Sequence, residues 1–259
     1  MDIILGGKGR LGSAFTRKYK DFVSLGYDEC DITKKDDIEK IISLHKPKRI
    51  LNFAAITDME KCEENPALCN KVNSIAVKGI AEVCRKRKIH LIQISTDTAV
   101  DPVNEYSKSK LSSESFVKDF GLVVRVNFYD KGSFIPKNLL SKEPKQVFAY
   151  TNVYFNPISI FSFIDILYNL VKEKKVGLYS VGIKEKVSVY DFAVAVANKF
   201  GISADLVKKG KQIGNNLRIK RSYDTYINPD ISISLAEDLE RFKNELEKQK
   251  NFDNIAASG

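Results

Sequence analysis

The chain has 259 residues, of which 43% are hydrophobic and 29% charged, and its formal net charge is +9. This length suits a globular protein with one sizeable core and an appended lobe, and the longest apolar stretch is interrupted by Ser162 and Asp165, which argues against a membrane-spanning helix. Because the basic residues are scattered among carboxylates, we expect no nucleic-acid polymer and no membrane as partner, although the charge would attract an anionic small molecule.

The cysteines and histidines set a second limit. Four cysteines and two histidines lack the spacing of a metal site or of a disulfide framework, so we expect no bound metal and reduced, mostly structural thiols. Two histidines also disfavour a Ser-His-Asp hydrolase. The chain passes from Met1 directly into a strand-like run, unlike a signal peptide, and a cytoplasmic location is therefore expected.

Strand and helix patterns alternate through the first half of the chain. Short apolar runs predict strands at 2–5, 22–27, 49–53, 91–94 and 122–126. Apolar residues at helical spacing predict helices over 13–20, 38–45, 67–87 and 106–118. This alternation predicts an α/β fold with a Rossmann-type doubly wound parallel sheet and right-handed crossovers.

The alternation becomes irregular after residue 127. Helices are predicted over 158–172 and 188–200, strands over 147–150 and 178–181, and basic loops elsewhere. We therefore predict a dinucleotide-binding domain over 1–127, with 151–174 packing back onto it. A smaller substrate-binding lobe is predicted over 128–150 and 175–259.

Three glycines follow the first predicted strand and open the next helix. Gly6 would permit a tight turn, Gly9 would let the backbone approach a pyrophosphate, and Gly12 would let the helix pack closely on the strand. A phosphate can then sit on the free N–H groups at the helix N-terminus. A glycine-rich turn without a ligand is the alternative, but the position after a strand favours a dinucleotide site that includes Arg10 and Leu11.

The preferred coenzyme stays open between NADH and NADPH. Asp28 and Asp31 both follow the second predicted strand, and either carboxylate could bind an adenosine ribose, which would favour NADH. Lys8 and Arg10 lie in the glycine turn and could instead accept a 2′-phosphate.

Candidate catalytic residues follow the fourth predicted strand. Tyr106 and Lys110 are four residues apart on a predicted helix and therefore share one face. An ammonium group at that spacing would lower the pKa of Tyr106 and prepare it to pass a proton to an alkoxide as hydride arrives. Thr96 ends the strand at the edge where open α/β sheets bind ligands, and it could hydrogen-bond the same oxygen. An ordinary amphipathic helix and a helix cap are the alternatives.

These residues resemble the extended short-chain dehydrogenase/reductase family and, within it, the dTDP-4-dehydrorhamnose reductase branch. The resemblance covers most of the chain. Its segments are 6–12, 31–33, 51–57, 72–73, 95–101, 106–110, 125–129, 177–179 and 188–193. The resemblance implies that Asp31, Ile32, Ala54, Ala55 and Ile56 line the cofactor, and that Tyr106 and Lys110 also contact it.

The same resemblance implies reduction of the ketone at carbon 4 of a dTDP-linked 6-deoxy-hexulose, a step of dTDP-rhamnose biosynthesis, with hydride from NADPH or NADH. Tyr106 would be the acid, Lys110 would tune it, and Thr96 would orient the nucleotide-sugar substrate. Asp97 and Phe128 would also contact the substrate, with Phe128 at the position of a family tryptophan. A homodimer is a further expectation.

Three rival functions were compared with this prediction. A 4,6-dehydratase is disfavoured because Thr98, rather than a glutamate, follows Asp97. A nucleotide-sugar epimerase of the same superfamily remains open. A non-catalytic dinucleotide-binding regulatory subunit, similar to that of methionine adenosyltransferase, would suit the short connection between Asp101 and Tyr106. A scaffold has no evident need for Thr96, Tyr106 and Lys110 together, which favours the enzyme.

Overall fold

The computed structural model describes residues 2–213 and 219–257. The α-helices are α1 (Arg10–Lys18), α2 (Lys35–His45), α3 (Met59–Glu64), α4 (Pro66–Asn70), α5 (Ala76–Arg87), α6 (Glu105–Val117), α7 (Phe134–Leu139), α8 (Ile160–Lys172), α9 (Val189–Lys199) and α10 (Leu235–Ala257). The strands are β1 (Asp2–Leu5), β2 (Phe22–Leu25), β3 (Arg49–Asn52), β4 (His90–Thr96), β5 (Leu122–Val126), β6 (Phe128–Tyr129), β7 (Val147–Tyr150), β8 (Tyr154–Phe155), β9 (Ile158–Ser159), β10 (Gly177–Ile183), β11 (Val187–Ser188), β12 (Val207–Gly210) and β13 (Ile231–Ile233).

The chain divides into two compact units. The first unit consists of Met1–Val126, Ile166–Ser180 and Asn215–Ser222, and the second of Asn127–Asp165, Val181–Gly214 and Tyr223–Gly259. The first unit is interrupted after residue 126 and resumes over 166–180, whereas 151–174 was expected to pack back onto it. The assignment of dinucleotide binding and substrate binding to separate domains stays a prediction. Residues before 160 form short strands that pair within the second unit, which holds 151–165 there. Residues 214–218 and 258–259 of the predicted lobe lie outside the described residues.

The first unit is built on a parallel sheet in which β1 lies between β2 and β3. The order of its strands is β5-β4-β3-β1-β2, and the start of β10 lies beyond β5. The strand order reverses at β1, and ligands of open α/β sheets bind at such a reversal, beyond the carboxyl ends of the strands. The predicted Rossmann-type sheet is confirmed, and its carboxyl edge carries the segments that the sequence analysis singled out.

Buried apolar residues fix the elements of the first unit. All four residues of β1 are buried, as expected for a strand covered by helices on both faces. On α5, Val77, Ile80, Ala81 and Cys84 are buried at helical spacing and join the same core. The predicted helix over 67–87 is present, but a π-helix (Lys71–Ile75) separates α4 from α5.

The second unit contains short paired strands and an aromatic core. Strand β6 pairs with β9, β7 with β12, β8 with β11, and the end of β10 with β13. The ring of Tyr129 packs edge-on against Phe192 and Phe242. Tyr129 Oη also donates a 2.7 Å hydrogen bond to the fully buried Asp238. This carboxylate further accepts hydrogen bonds from the backbone and side chain of Ser159, so it ties β6, β9 and α10 together.

The prediction of basic loops after residue 200 is wrong for the last part of the chain, where α10 runs for 23 residues. Ser234 and Glu237 cap its first turn reciprocally, with the Ser234 hydroxyl accepting from the Glu237 N–H and the Glu237 carboxylate accepting from the Ser234 N–H. Leu239, Phe242 and Leu246 are buried along one face. The cap and the apolar spacing were both visible in the sequence.

The apolar segment after residue 158 forms β9 and α8, and α8 has 13 residues. In the described part of the chain, no helix combines the length and the apolar character that a membrane span requires.

Candidate active site

The glycine turn joins β1 to α1, and two of its predicted glycines are required by the packing of the chain. Gly6 has a φ of +75°, and a Cβ there would lie 2.6 Å from the backbone nitrogen of Ala54. A Cβ on Gly12 would lie 2.6 Å from the Gly6 carbonyl oxygen. Gly7, which was not predicted, leaves no room either, because its Cβ would lie 1.9 Å from Ser24 Oγ. The turn therefore brings α1 against β1 and the segment after β3.

Gly9 differs from these glycines. Its φ is −74°, which any residue can adopt, and a Cβ placed there would lie 3.2 Å from the Gly6 carbonyl oxygen, with no other described atom within 4 Å apart from its neighbours in the chain. Gly9 is exposed and is the N-cap of α1, and no described side chain caps that helix start. The fold thus leaves open space at the positive end of a helix, which fits the pyrophosphate of a dinucleotide. Arg10 is exposed and Leu11 buried in the first turn of this helix.

The acidic residues after β2 occupy two different environments. Lys8 Nζ lies 3.5 Å from an Asp28 carboxylate oxygen and 3.4 Å from one of Glu29, on the exposed side of the glycine turn. Asp31 is buried, and its carboxylate accepts hydrogen bonds from the backbone and hydroxyl of Thr33. Burial opposes its ionisation, but the Thr33 hydrogen bonds, the Lys34 charge and a Tyr27 hydrogen bond together keep the pKa of Asp31 below its usual range. Ile32 belongs to the apolar core.

The predicted cofactor segment after β3 is anchored by residues that the sequence analysis did not assign to the site. Ala54, Ala55 and Ile56 are half-buried. Asn73, on the π-helix, accepts from the Ile56 N–H at 2.8 Å and donates to the Ile56 carbonyl at 2.9 Å. Since Asn73 is buried, this pair of hydrogen bonds anchors the segment 54–56 to the interior of the first unit. Asn73 was visible only as part of a matching segment and not through its chemistry.

Thr96 and Tyr106 meet at the carboxyl end of β4. Thr96 is the last residue of that strand, and Tyr106 lies in the first turn of α6. The Thr96 side chain lies close enough to the Tyr106 phenol to lower its pKa, while the Thr96 hydroxyl itself donates to an Asp97 carboxylate oxygen at 3.1 Å. Helix α6 begins at this point because Asn104 and Ser107 cap it reciprocally, so the short connection after Asp101 directs Tyr106 back towards Thr96. The structure brings together the two hydroxyl groups that were predicted to act on one oxygen.

The predicted lowering of the Tyr106 pKa is wrong. Burial raises the pKa of Tyr106 above its usual range, the Thr96 hydrogen bond opposes that shift only partly, and the Asp97 carboxylate adds to it. Lys110, whose ammonium group donates to a backbone carbonyl, is not among the groups that shift this pKa. Tyr106 is therefore a protonated phenol at neutral pH, which suits a proton donor.

Lys110 is a buried cation one turn further along α6. Its Nζ donates a 2.6 Å hydrogen bond to the Ile94 carbonyl oxygen on β4. Burial lowers the pKa of Lys110 to about 8, although the charge of Glu114 acts in the opposite direction. The lysine therefore loses its proton at a much lower pH than an exposed lysine would.

Glu114 is a further buried group that the sequence analysis missed. Its carboxylate accepts two hydrogen bonds from the Arg125 guanidinium, at 2.8 and 2.6 Å, and one from the Ser95 hydroxyl at 2.6 Å. Arg125 neutralises this carboxylate, and the three residues connect α6 to β4 and β5. They thereby hold the backbone that carries Thr96 and Lys110. Nothing in the one-dimensional spacing pairs residues 114 and 125.

The two remaining predicted substrate residues are placed as follows. Asp97 is buried and accepts hydrogen bonds from Thr96 Oγ1 at 3.1 Å and from the Thr98 N–H at 2.9 Å, within the 3-10 turn that follows β4. Phe128 belongs to the second unit, where its ring stacks on Phe163 with 6.0 Å between centroids.

Metal ligands are not clustered in the part of the chain that the structure describes. No group of three or more histidine, cysteine, aspartate or glutamate side chains there could hold a metal ion. All four cysteines are buried and free.

Comparisons with known proteins point to one family. The family model described as the RmlD substrate binding domain matches residues 1–248. A probable low-salt glycan biosynthesis reductase of Haloferax volcanii is 32% identical over 39% of this chain and 39% of that protein, so this alignment spans well under half of the relative. The dTDP-4-dehydrorhamnose reductase of Aggregatibacter actinomycetemcomitans is 25% identical over 75% of this chain and 77% of that protein.

A solved structure extends the likeness to the fold. The dTDP-4-dehydrorhamnose reductase of Bacillus anthracis, determined in complex with NADP, superposes with a TM-score of 0.85 at 21% identity. The superposition covers 94% of this chain and 98% of that one.

Proposed function

The chain belongs to the RmlD substrate binding domain family, and from that premise we propose that it is an NAD(P)H-dependent reductase of a nucleotide-linked 4-keto-6-deoxy sugar. The membership confirms the resemblance that the sequence predicted. The names of the relatives support the proposed activity, since the Aggregatibacter protein is called a dTDP-4-dehydrorhamnose reductase. We propose a dTDP-linked sugar as the substrate on the same basis.

One observation carries the proposal from the residues themselves. A protonated phenol on the first turn of α6 and a threonine hydroxyl at the end of β4 lie next to each other at the carboxyl edge of the sheet, where the same unit also presents an uncapped helix start. A ketone reductase requires a proton donor at the carbonyl oxygen and a place for a dinucleotide. Both requirements are met within the first unit.

The proposed mechanism assigns one task to each residue. A bound NADPH or NADH would supply the hydride. Thr96 and Tyr106 hold the ketone oxygen by hydrogen bonds, and Tyr106 Oη gives that oxygen its proton as negative charge develops there. The raised pKa of Tyr106 keeps the phenol protonated before reaction. The alkoxide that forms on the sugar as hydride arrives is the base that takes this proton.

Lys110 has a supporting task in this mechanism. Its ammonium group donates a hydrogen bond to the Ile94 carbonyl oxygen on β4, the strand that ends at Thr96. This bond would hold α6, and with it Tyr106, against the strand that carries Thr96. Because Lys110 acts through Tyr106, we treat it as a positioning residue of the site.

The cofactor would be held by the first unit. Gly9 and the first turn of α1, including Arg10 and Leu11, would receive the pyrophosphate. Asp31, Ile32 and the segment 54–56 would line the rest of the dinucleotide. The hydrogen bonds between the Asn73 side chain and the Ile56 backbone support a preformed wall at this segment. Contacts of Asp97 and Phe128 with the sugar stay predictions, as do a homodimer and a cytoplasmic location.

The proposal is tested by mixing the protein with NADPH or NADH and dTDP-4-keto-6-deoxy-hexulose while nicotinamide absorbance is followed. We expect cofactor oxidation in proportion to the sugar added and none with dTDP-glucose, which has no ketone. Isomerised sugar without net cofactor oxidation would indicate an epimerase instead. Cofactor binding without turnover of any 4-keto sugar would contradict the reductase and favour a regulatory subunit.

A further inference from the structure

Two buried cysteines lie side by side behind the candidate active site. Cys62 is on α3 and Cys69 on α4, and their sulfur atoms are 2.7 Å apart. The exposed fraction of Cys62 is 0% and that of Cys69 is 1%. Neither thiol has a task in the proposed reduction. The two thiols are therefore in direct contact, and the separation exceeds a covalent S–S distance of about 2.05 Å by less than 1 Å.

Both sulfur atoms contact groups that shape the site. Cys69 Sγ lies 3.4 Å from Ser109 Oγ and 3.4 Å from Asn73 Nδ2. Ser109 Oγ in turn donates to the Tyr106 carbonyl oxygen at 2.7 Å. Cys62 Sγ lies 3.8 Å from the carbonyl oxygen of Ile56. The thiol pair thus packs beneath both the first turn of α6 and the segment after β3.

The surroundings of the pair indicate which chemistry it can perform. Two thiolates could begin a metal site, but no cluster of three candidate ligands occurs among the described residues. The remaining cysteines, Cys30 and Cys84, belong to the apolar core of the first unit. A sulfur-to-sulfur bond is the reaction that the neighbouring positions of Cys62 and Cys69 favour.

We propose that Cys62 and Cys69 form a modification site that closes to a disulfide when a peroxide takes two electrons from the pair. One thiolate attacks a peroxide oxygen, the O–O bond breaks, and a sulfenic acid and water (or an alcohol) result. The second thiol then attacks the sulfenic sulfur, the S–S bond forms, and water leaves. With hydrogen peroxide, two thiols are oxidised to one disulfide and the peroxide is reduced to two waters.

The closed bridge would link α3 to α4 across Asn65 and Pro66. Burial raises the pKa of the Cys62 thiol well above its usual range, so little thiolate is present at neutral pH. We therefore expect slow oxidation compared with an exposed thiol and a bond that persists once formed. The inference does not depend on the reductase activity, because the bond is detected chemically.

Peptide mapping of the full chain provides the test. Trypsin cleaves after Lys61 and Lys71, and the resulting peptide contains Cys62 and Cys69 and no other cysteine. The native protein is incubated with hydrogen peroxide, denatured, alkylated with iodoacetamide and digested without reduction. We expect this peptide to lack alkyl groups and to be lighter by two hydrogen atoms, while Cys30 and Cys84 are alkylated. Reduction before alkylation should restore two alkyl groups.

Variants separate this bond from other oxidation products. Cys84→Ala, which removes a buried thiol of the core, should give the same bridged peptide as the wild type. Cys62→Ala and Cys69→Ala should each leave a peptide without the loss of two hydrogens. Two alkyl groups on the wild-type peptide after prolonged peroxide treatment would overturn the proposal. Pairing of Cys62 or Cys69 with another cysteine would overturn it as well.

Discussion

The two ends of the candidate site are built in opposite ways. At the glycine turn, glycines without side chains leave the backbone N–H groups at the start of α1 accessible, and Gly9 is exposed. At the Tyr106 turn, the chain buries polar side chains, and burial shifts the pKa values of Tyr106 and Lys110 in opposite directions. The difference indicates that cofactor binding depends on backbone shape and that proton transfer depends on desolvated side chains. Variants at the two ends should therefore fail in different ways.

The largest effect is expected at the chemical end. Tyr106→Phe removes the phenol proton but keeps the ring that packs in the site. We expect turnover to fall by about 10²–10⁴-fold, the usual range for a general acid, while the dissociation constant for NADPH stays within a few-fold. Steady-state kinetics and a titration of nicotinamide fluorescence measure the two quantities separately. A fully active variant would contradict the role of Tyr106.

The next effect concerns the buried charge of Lys110. Its pKa is about 8 in the folded protein and 10.5 in the unfolded chain. Between these values the unfolded chain binds a proton that the folded protein does not, so this residue raises the free energy of unfolding as pH rises through that window. Below it both states are charged, and the burial penalty is present in full.

Lys110→Met isolates that contribution, since all other titrating groups are shared. From pH 8 to pH 10.5, we expect the wild type to gain about 3 kcal/mol of stability relative to the variant. Urea denaturation across this range measures the difference. Parallel pH curves for the two proteins would show that Lys110 has an ordinary pKa.

A smaller effect, on cofactor binding rather than on turnover, is expected at the glycine turn. Gly9→Ala places a methyl group where the pyrophosphate would approach, at a backbone conformation that alanine tolerates. Loss of one charge-assisted hydrogen bond would weaken NADPH binding by roughly 10–100-fold, and thermal stability should fall less than in Gly12→Ala, because the new Cβ lies 3.2 Å rather than 2.6 Å from the Gly6 carbonyl oxygen. Gly12→Ala is the matched control, because its Cβ would lie 2.6 Å from Gly6 O and should lower thermal stability instead. Unchanged cofactor affinity in a folded Gly9→Ala protein would argue against this phosphate site.

The smallest expected effect is on coenzyme preference. Asp28 and Glu29 place negative charge around Lys8 at the exposed side of the turn. Asp28→Asn should raise the affinity for NADPH relative to NADH by only a few-fold, because solvent and salt screen exposed charges. The two dissociation constants, measured at low and at physiological salt, provide the comparison. A change of preference towards NADH would show that the 2′-phosphate of NADPH does not bind near Lys8.

The two units also differ in how far the sequence predicted them. Buried strands, helical spacing and the glycines defined the first unit because each of those signals is local. Helix α10 was not predicted, although its cap and the spacing of Leu239, Phe242 and Leu246 are local signals too. The boundaries of the second unit depend on pairings between distant short strands, such as β7 with β12, and no local pattern encodes those pairings.

Within the site, the sequence predicted which residues meet but not their electrostatics. Thr96 and Tyr106 are in contact as the motif order suggested, whereas the direction of the Tyr106 pKa depends on burial that only the folded chain reveals. The Cys62 and Cys69 pair was equally hidden, because six residues separate the two cysteines. They meet only because α3 ends and α4 begins at Asn65.

The central claim is direct hydride transfer to carbon 4 of a nucleotide-linked sugar. We would supply NADPH that carries deuterium at the transferable position of the nicotinamide and analyse the sugar product by mass spectrometry and NMR. The account predicts one deuterium at carbon 4 of the sugar for each cofactor oxidised, and no transfer by Tyr106→Phe beyond its residual turnover. A converted sugar without deuterium, or with deuterium at another carbon, would contradict it.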